Sequence, residues 1–280
     1  MKFSLSTNWC SQRLESGREI AEKAIALGFD ELELGFNTTA LQAQEVAALA
    51  DRIRVGSIHA FCPVPISAPQ GYPELYQLAS FDEDMRAIAR VHVRKNIEFA
   101  ASLGADTVVL HAGRVLCGRF FWGGEMARRV KRGAKMVEVF RRELDALAPV
   151  LEKHRVTLGL ENLPYLAGFP GEWELKDLVG EWVKPWLDTG HDFVRREAGW
   201  AEKSGVPFDF LQPVGLHIND SEGGDDHLPP GRGKVDFAAL KPWVEKARHL
   251  VFEPHEGVSE QELVGGLAHL RALWGGSTGC

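Results

Sequence analysis

Eight short apolar segments recur along the chain, separated by longer amphipathic segments, and this rhythm limits the possible folds most. They are residues 3–8, 31–36, 55–61, 107–113, 157–163, 186–191, 214–220 and 250–255. Segments rich in leucine and β-branched residues and bounded by turn residues are typical of buried parallel strands. Eight strand–helix units in 280 residues predict an α/β fold, specifically a (β/α)8 TIM barrel.

The intervening segments have helical periodicity. Residues 18–27 and 126–152 each carry an apolar stripe, and Gly28 and Gly104 stand where a helix would end before the next strand. A doubly wound open sheet is the alternative, but no glycine-rich phosphate loop follows the first apolar segment. No Pro/Gly/Ser linker divides the chain, so we expect a single barrel domain over residues 1–280.

Composition narrows the classes of function. The chain is 45% hydrophobic, with a net charge of −7, which excludes a disordered protein and argues against a nucleic-acid partner. The sequence has neither a membrane-spanning apolar run nor a recognisable secretory signal. Its four cysteines lack CxxC spacing. We therefore expect a cytoplasmic protein without membrane association, and the sequence leaves open a homo-oligomer.

Polar side chains cluster where the predicted strands end. Catalytic groups of TIM barrels lie at the carboxyl ends of the strands. Here these ends carry His59, His111, Glu161, Asp188, His191, His217, Glu253 and His255. Burying several carboxylates and imidazoles in one barrel mouth is costly unless a cation is bound. Because the donors are oxygen and imidazole without thiolate, they favour Mn, Mg, Co, Zn or Fe.

Five motifs follow the predicted strands in order: LENLP (160–164), LDTGH (187–191), GLHIND (215–220), DDHLPPGRGKVDF (225–237) and VFEP (251–254). Together they resemble the xylose isomerase-like barrels, a superfamily that includes endonuclease IV. The resemblance implies that the metal ligands of ketose epimerases and isomerases correspond to Glu161, Asp188, His217 and Glu253. It also implies that Glu161 and Glu253 are catalytic and transfer protons. The additional ligands of the endonuclease IV zinc cluster correspond to His59, His111, His191, Asp225 and His227.

The number of metal ions separates the functional hypotheses. The carboxylates of Glu161, Asp188, Asp225 and Glu253 together carry four negative charges. The net charge of the site is therefore negative with one divalent ion and positive with three. The first suits proton transfer through a metal-stabilised enediolate, which predicts an isomerase or epimerase of a small sugar or hydroxy-keto acid. The second suits an endonuclease IV-like phosphoesterase acting on abasic DNA. A lyase, dehydratase or dioxygenase on the same scaffold is a third hypothesis.

Five further residues are candidates for contacting the substrate. Asn8 and Trp9 follow the first strand, and core packing is the alternative for Trp9. Arg119 and Trp122 lie in a segment that could form a lid, a packed loop or a subunit contact. Arg232 lies in PPGRG, which could instead only shape a rigid turn.

Overall fold

Eight parallel strands form a closed barrel in the computed structural model, which describes residues 1–66, 68, 70–115, 125–200 and 212–275. In chain order they are β1 (Ser4–Ser6), β2 (Glu31–Leu34), β3 (Arg54–His59), β4 (Thr107–Leu110), β5 (Thr157–Glu161), β6 (Val183–Asp188), β7 (Gly215–Ile218) and β8 (His249–Phe252). Each strand pairs with the next along the chain, and β8 returns to β1 with Leu5 opposite Phe252. The predicted (β/α)8 barrel is confirmed.

Helices lie between the strands and after the last one. They are α1 (Gly17–Ala26), α2 (Ala40–Ala47), α3 (Glu83–Ser102), α4 (Glu125–His154), α5 (Glu172–Leu175), α6 (Thr189–Glu197), α7 (Lys241–Val244) and α8 (Glu260–Gly275). Side-chain caps start α1 and α2, where Ser16 and Thr39 accept the amide hydrogens of Glu19 and Gln42. Within the described ranges, no helix combines the length and apolar character needed to cross a bilayer.

The loop after β7 folds back as a hairpin beside the barrel mouth. Asp220–Glu222 pairs antiparallel with Asp225–Leu228, and the register shifts within this hairpin. The Asp220 carboxylate accepts the backbone amide hydrogens of Gly231, Gly233 and Val235. These bonds hold the PPGRG turn in place, so its chain path is set by a buried carboxylate.

Trp186 fills the barrel interior beneath the carboxyl ends of the strands. Its ring is fully buried and lies 5.0 Å from the His217 ring above and 5.9 Å from the His249 ring below. Gly215 makes room for it, because a Cβ atom there would lie 2.3 Å from the indole. The barrel therefore has a solid core that separates a polar cluster at its floor from the residues at its mouth.

The polar cluster at the floor is built around Asp106. Its carboxylate accepts hydrogen bonds from His249 Nε2 at 2.8 Å and from the Thr107 hydroxyl at 2.9 Å. Burial by itself raises the pKa of Asp106, but these partners and Arg248 lower it below its ordinary value of 3.8. The ionised carboxylate is therefore favoured more in the folded chain than in the unfolded chain.

We expect Asp106→Asn to lower the free energy of unfolding more at pH 7 than at pH 3. A pKa that is lower in the folded state contributes stability above the unfolded value, and this contribution is lost as the pH falls below about 4. Chemical denaturation at several pH values measures the difference. Asp145→Asn, at an exposed position on α4, is the control. If the free energies of unfolding of the wild type and of Asp106→Asn differed by the same amount at every pH, the lowered pKa of Asp106 would be contradicted.

Candidate active site

Four side chains from consecutive strand ends converge at the barrel mouth. Glu161 ends β5, Asp188 ends β6, His217 lies in β7 and Glu253 follows β8. One donor atom from each lies within 4.8 Å of the others, and all four residues are buried. His217 Nδ1 lies 3.0 Å from Glu253 Oε2 and 3.3 Å from Glu161 Oε1. Neighbouring parallel strands thus bring together residues that are far apart in sequence.

Among the residues that the structure describes, two buried candidate ligand atoms at this point have no hydrogen-bond partner. They are Glu161 Oε1 and His217 Nδ1. An unpaired polar atom in the interior is costly, and a cation between these atoms would relieve that cost. Three carboxylates and an imidazole are also a donor set that divalent ions bind in proteins. The residues present therefore fit a divalent metal ion.

Glu33 orients the imidazole of His217 from within the barrel. Its Oε1 atom lies 2.9 Å from His217 Nε2, and the Ser57 hydroxyl donates to its other oxygen at 2.7 Å. Because a carboxylate only accepts, Nε2 is the donor and Nδ1 faces the other three ligand candidates. Glu33 is fully buried. This is the carboxylate–histidine pairing that typically orients metal ligands.

Histidines form a second set of donors around Glu161. The Nε2 atoms of His59 and His111 each lie 3.1 Å from Glu161 Oε2. Backbone carbonyls fix three of the rings through Nδ1: His59 donates to Ala60, His191 to Asn162, and His227 to Glu253. With Nδ1 engaged in this way, Nε2 is the ring atom of each histidine that can bind a metal ion.

These donors form overlapping groups. Besides the group of four, His59 lies with Glu161 and His217, and Asp188 lies with His191 and His227, each within 4.8 Å. Glu161 and Asp188 each belong to more than one group. The geometry is thus compatible with one ion or with several adjacent ions that share carboxylates.

The electrostatics of the mouth reflect this mixture of charges. Burial by itself lowers the pKa of His191 and His111, but nearby carboxylates raise the values to about 10 and about 9, chiefly Asp188 and Glu161 respectively. Burial also raises the pKa of Asp188. For Glu161, the effect of burial is outweighed by His111 and His217, which hold its pKa well below its ordinary range. The neighbouring carboxylates therefore favour the protonated forms of His191 and His111.

Asparagines hold the Asp188 carboxylate in position. Asn219 Nδ2 donates to Asp188 Oδ2 at 2.7 Å, while Asp188 Oδ1 caps α6 by accepting the His191 amide hydrogen. Asn162 makes two hydrogen bonds to the Asp188 backbone. The LDTGH motif therefore ends a strand and starts a helix at the same residue.

A cavity of about 280 Å³ opens above the ligand candidates. Its lining residues are Asn8, Phe36, Asn37, His59, Pro73, His111, Glu161, His191, His227, Glu253, Pro254, His255 and Glu256. Asn8 Nδ2 donates to Glu253 Oε1 at 3.2 Å. Asn8 therefore lies where we predicted a substrate contact.

The structure corrects the prediction for Asp225. This residue is exposed, while the neighbouring Asp226 approaches His191 Nε2 at 3.7 Å. Side chains alternate between the two faces of a regular strand. Here the shifted register of the hairpin and the positive φ of 57° at His227 break that alternation. Asp226, rather than Asp225, is therefore the acidic residue near the cluster.

Two other predicted substrate contacts lie away from the cavity. Trp9 is buried in the core, where its indole NH donates to the Val258 carbonyl at 2.7 Å. The Arg232 side chain is 67% exposed and lies 3.4 Å from Glu262 of α8. The geometry therefore supports core packing for Trp9 and a turn-forming role for PPGRG. Arg119 and Trp122 lie outside the described residues.

Sequence reasoning missed Glu33, Asp226 and the supporting Asn219. Glu33 had a usable signal, because an acidic residue in the middle of a predicted barrel strand needs a buried partner. Glu74 was also missed. It is buried, 3.8 Å from His111 Nδ1, and forms an ion pair with Arg114. Its segment has no strand or helix pattern that would have placed it.

We expect Glu33→Gln to weaken divalent-metal binding about 10–100-fold without unfolding the barrel. The change keeps the size of the side chain but removes the charge that orients the His217 ring. Metal titration by calorimetry measures the affinity, and Ser57→Ala separates the effect of the other hydrogen bond to Glu33. An unchanged affinity in Glu33→Gln would exclude a positioning role.

Comparison with known families agrees with this arrangement. A family model described as a xylose isomerase-like TIM barrel matches residues 21–273. Among curated proteins, an uncharacterized protein of Methanocaldococcus jannaschii is 26% identical over 184 residues. That match covers 62% of this chain and 57% of the relative, so the chain spans less than two thirds of that protein.

Solved structures share the architecture over nearly the whole chain. A D-tagatose 3-epimerase-like protein superposes with a TM-score of 0.70 at 21% identity, covering 98% of this chain and 97% of its own. At that identity the likeness establishes the fold alone. A protein from Thermus thermophilus soaked with ZnCl2 is 25% identical, with a TM-score of 0.67 and complete coverage of both chains.

Proposed function

Because the chain belongs to the xylose isomerase-like TIM barrel family, we propose that it is a divalent-metal-dependent isomerase or epimerase. Its substrate is a small carbohydrate or hydroxy-keto acid. One observation carries the proposal: two buried glutamates, Glu161 and Glu253, converge with Asp188 and His217 beneath a small cavity. The likeness to an epimerase-like barrel supports it.

The ligand candidates would hold the ion at the base of the cavity in the barrel mouth. They are Glu161, Asp188, His217 and Glu253, with Mn, Zn, Mg or Co as the candidate metals. When bound, a divalent ion supplies positive charge that stabilises the negative oxygens of an enediolate. Glu33, Asn162 and Asn219 keep the ligand candidates oriented while the substrate enters.

Glu161 and Glu253 are the proton-transfer residues in this proposal. They come from strand ends three positions apart around the barrel, so they approach the cavity from different sides. One carboxylate removes the proton beside the substrate carbonyl. A protonated carboxyl returns it, to the neighbouring carbon for isomerisation or to the opposite face for epimerisation. Asn8 donates to Glu253 Oε1 and so restricts the direction in which this carboxylate points.

The lining of the cavity favours a small substrate without a phosphate group. Its volume of about 280 Å³ is below the roughly 300–1,000 Å³ of pockets for drug-sized ligands. Phe36, Pro73 and Pro254 supply apolar walls, and no arginine or lysine is among the described lining residues. A sugar without a phosphate group fits this environment better than a sugar phosphate.

Exchange of solvent deuterium into the substrate tests the proposed reaction. Purified protein loaded with each metal in turn is incubated in D2O with a panel of ketoses and hydroxy-keto acids. We expect deuterium at the carbon beside the carbonyl of at least one compound, followed by its isomer or epimer. Exchange that is also seen with Glu161→Gln would exclude catalysis by that glutamate. No exchange with any compound would contradict the proposal.

A second function is favoured by a specific observation. The overlapping donor groups that include His59, His191 and His227 could hold additional ions, as in an endonuclease IV-like phosphoesterase. Metal analysis of the purified protein distinguishes the two. About one ion per chain supports proton transfer on a sugar. Close to three ions, together with chelator-sensitive incision of abasic DNA, would replace it with the phosphoesterase.

A further inference from the structure

Helix α3 carries a regular stripe of exposed side chains on its outer surface. Asp84, Ile88, Val91 and Lys95 are spaced by four, three and four residues, so they share one face of the helix. All four are exposed, and the apolar pair at the centre, Ile88 and Val91, is 47% and 51% exposed. Single exposed apolar residues are ordinary, but two neighbouring ones flanked by charged residues resemble the apolar centre and polar rim of a protein interface.

The rest of α3 is firmly held within the barrel. Its inner face buries Ala89, Val93 and Ile97 in the core. Arg86 and Arg90 bind the Glu143 carboxylate of α4 at 3.0 and 2.8 Å. The helix is therefore a rigid platform, and the exposed stripe can meet a partner without rearrangement of the chain.

The charges at the two ends of the stripe are opposite. Asp84 lies in the first turn and Lys95 near the last turns, and within the described residues neither forms an ion pair. An antiparallel copy of the same helix, related by a two-fold axis between Ala89 and Arg90, would put Asp84 opposite Lys95 and Ile88 opposite Val91. The stripe is thus complementary to itself, which a two-fold interface requires.

We propose that two copies of this chain associate through α3, packed antiparallel about that two-fold axis. Ile88 and Val91 form the apolar centre, and an Asp84–Lys95 pair closes each end. Binding to a different protein would not require the charged and apolar residues of the stripe to be arranged with two-fold symmetry. This symmetry therefore favours a second copy of the chain as the partner. The inference is independent of the reaction catalysed at the barrel mouth.

The size of the contact indicates how strong the association should be. One pair of helices buries less than the roughly 1,200–2,000 Å² of stable interfaces, so we expect a dimer that dissociates at micromolar concentrations. The charge pairs at its ends are exposed to solvent and are weakened by salt. Association should therefore decrease as the ionic strength rises.

Sedimentation velocity between about 1 and 500 µM tests the dimer. We expect the wild-type chain to shift from monomer toward dimer over this range, and Ile88→Asp to remain monomeric at concentrations at least tenfold higher. Val264→Asp is the matched control, because Val264 is 46% exposed on α8, away from the stripe. A wild-type monomer at every concentration would overturn the proposal, as would a dimer unaffected by Ile88→Asp.

A charge exchange tests the antiparallel arrangement itself. Asp84→Lys and Lys95→Asp should each weaken the dimer at low salt, because each puts like charges opposite one another. The double variant restores opposite charges across the axis and should recover wild-type association. Circular dichroism confirms that each variant is folded. Failure of the double variant to recover while both single variants weaken the dimer would exclude this register.

Discussion

Glu161→Gln is expected to lower turnover about 10²–10⁴-fold, the loss typical of a missing general base. Glutamine keeps the size and much of the hydrogen bonding of the side chain but has no basic oxygen. Glu161 is fully buried and holds His59 and His111 at 3.1 Å, so the carboxylate is fixed in one orientation. The readout is kcat on the substrate identified by deuterium exchange, measured with saturating metal.

Because Glu161 is also a ligand candidate, metal content must be measured with the rate. A loss of turnover at full metal occupancy assigns the defect to proton transfer, whereas a parallel loss of metal and rate assigns it to binding. Glu253→Gln should behave in the same way. Glu256→Gln is the matched control, since Glu256 lines the same cavity but lies outside the ligand groups. Near-normal kcat in Glu161→Gln would reject its catalytic role.

His217→Ala is expected to lower metal occupancy at least tenfold. The imidazole is fully buried at the centre of the four ligand candidates, and within the described part of the chain its Nδ1 atom has no hydrogen-bond partner. Loss of a direct ligand should cost more than loss of its Glu33 partner, for which about 10–100-fold in affinity is typical. Elemental analysis after dialysis against a defined metal concentration measures the occupancy.

The control for this variant is His255→Ala. His255 lines the same cavity but is exposed and belongs to none of the three ligand groups. It should retain metal at the wild-type level. Circular dichroism must show an intact fold for both variants, because His217 also packs on Trp186 in the barrel core. Full occupancy in folded His217→Ala would remove His217 from the proposed metal site.

The barrel and the location of the candidate active site at its mouth could be predicted from the sequence. The eight apolar segments correspond to β1–β8, and the helix-ending Gly28 and Gly104 have the expected positive φ of 88° and 71°. Because parallel strands of a barrel all end at the same rim, residues at their ends are brought together whatever their separation in sequence. His59 could thus be predicted near Glu161, 102 residues away.

Only the tertiary structure decided the contacts that depend on side-chain direction across strands and within loops. Glu33 meets His217 because β2 and β7 both point side chains into one interior, which no local pattern of either strand specifies. Asp226 replaces Asp225 because a register shift and one positive φ reverse the alternation of the hairpin. Trp9 turns into the core and Arg232 toward Glu262, since a side chain beyond a strand end takes its direction from the nearest partners available after folding.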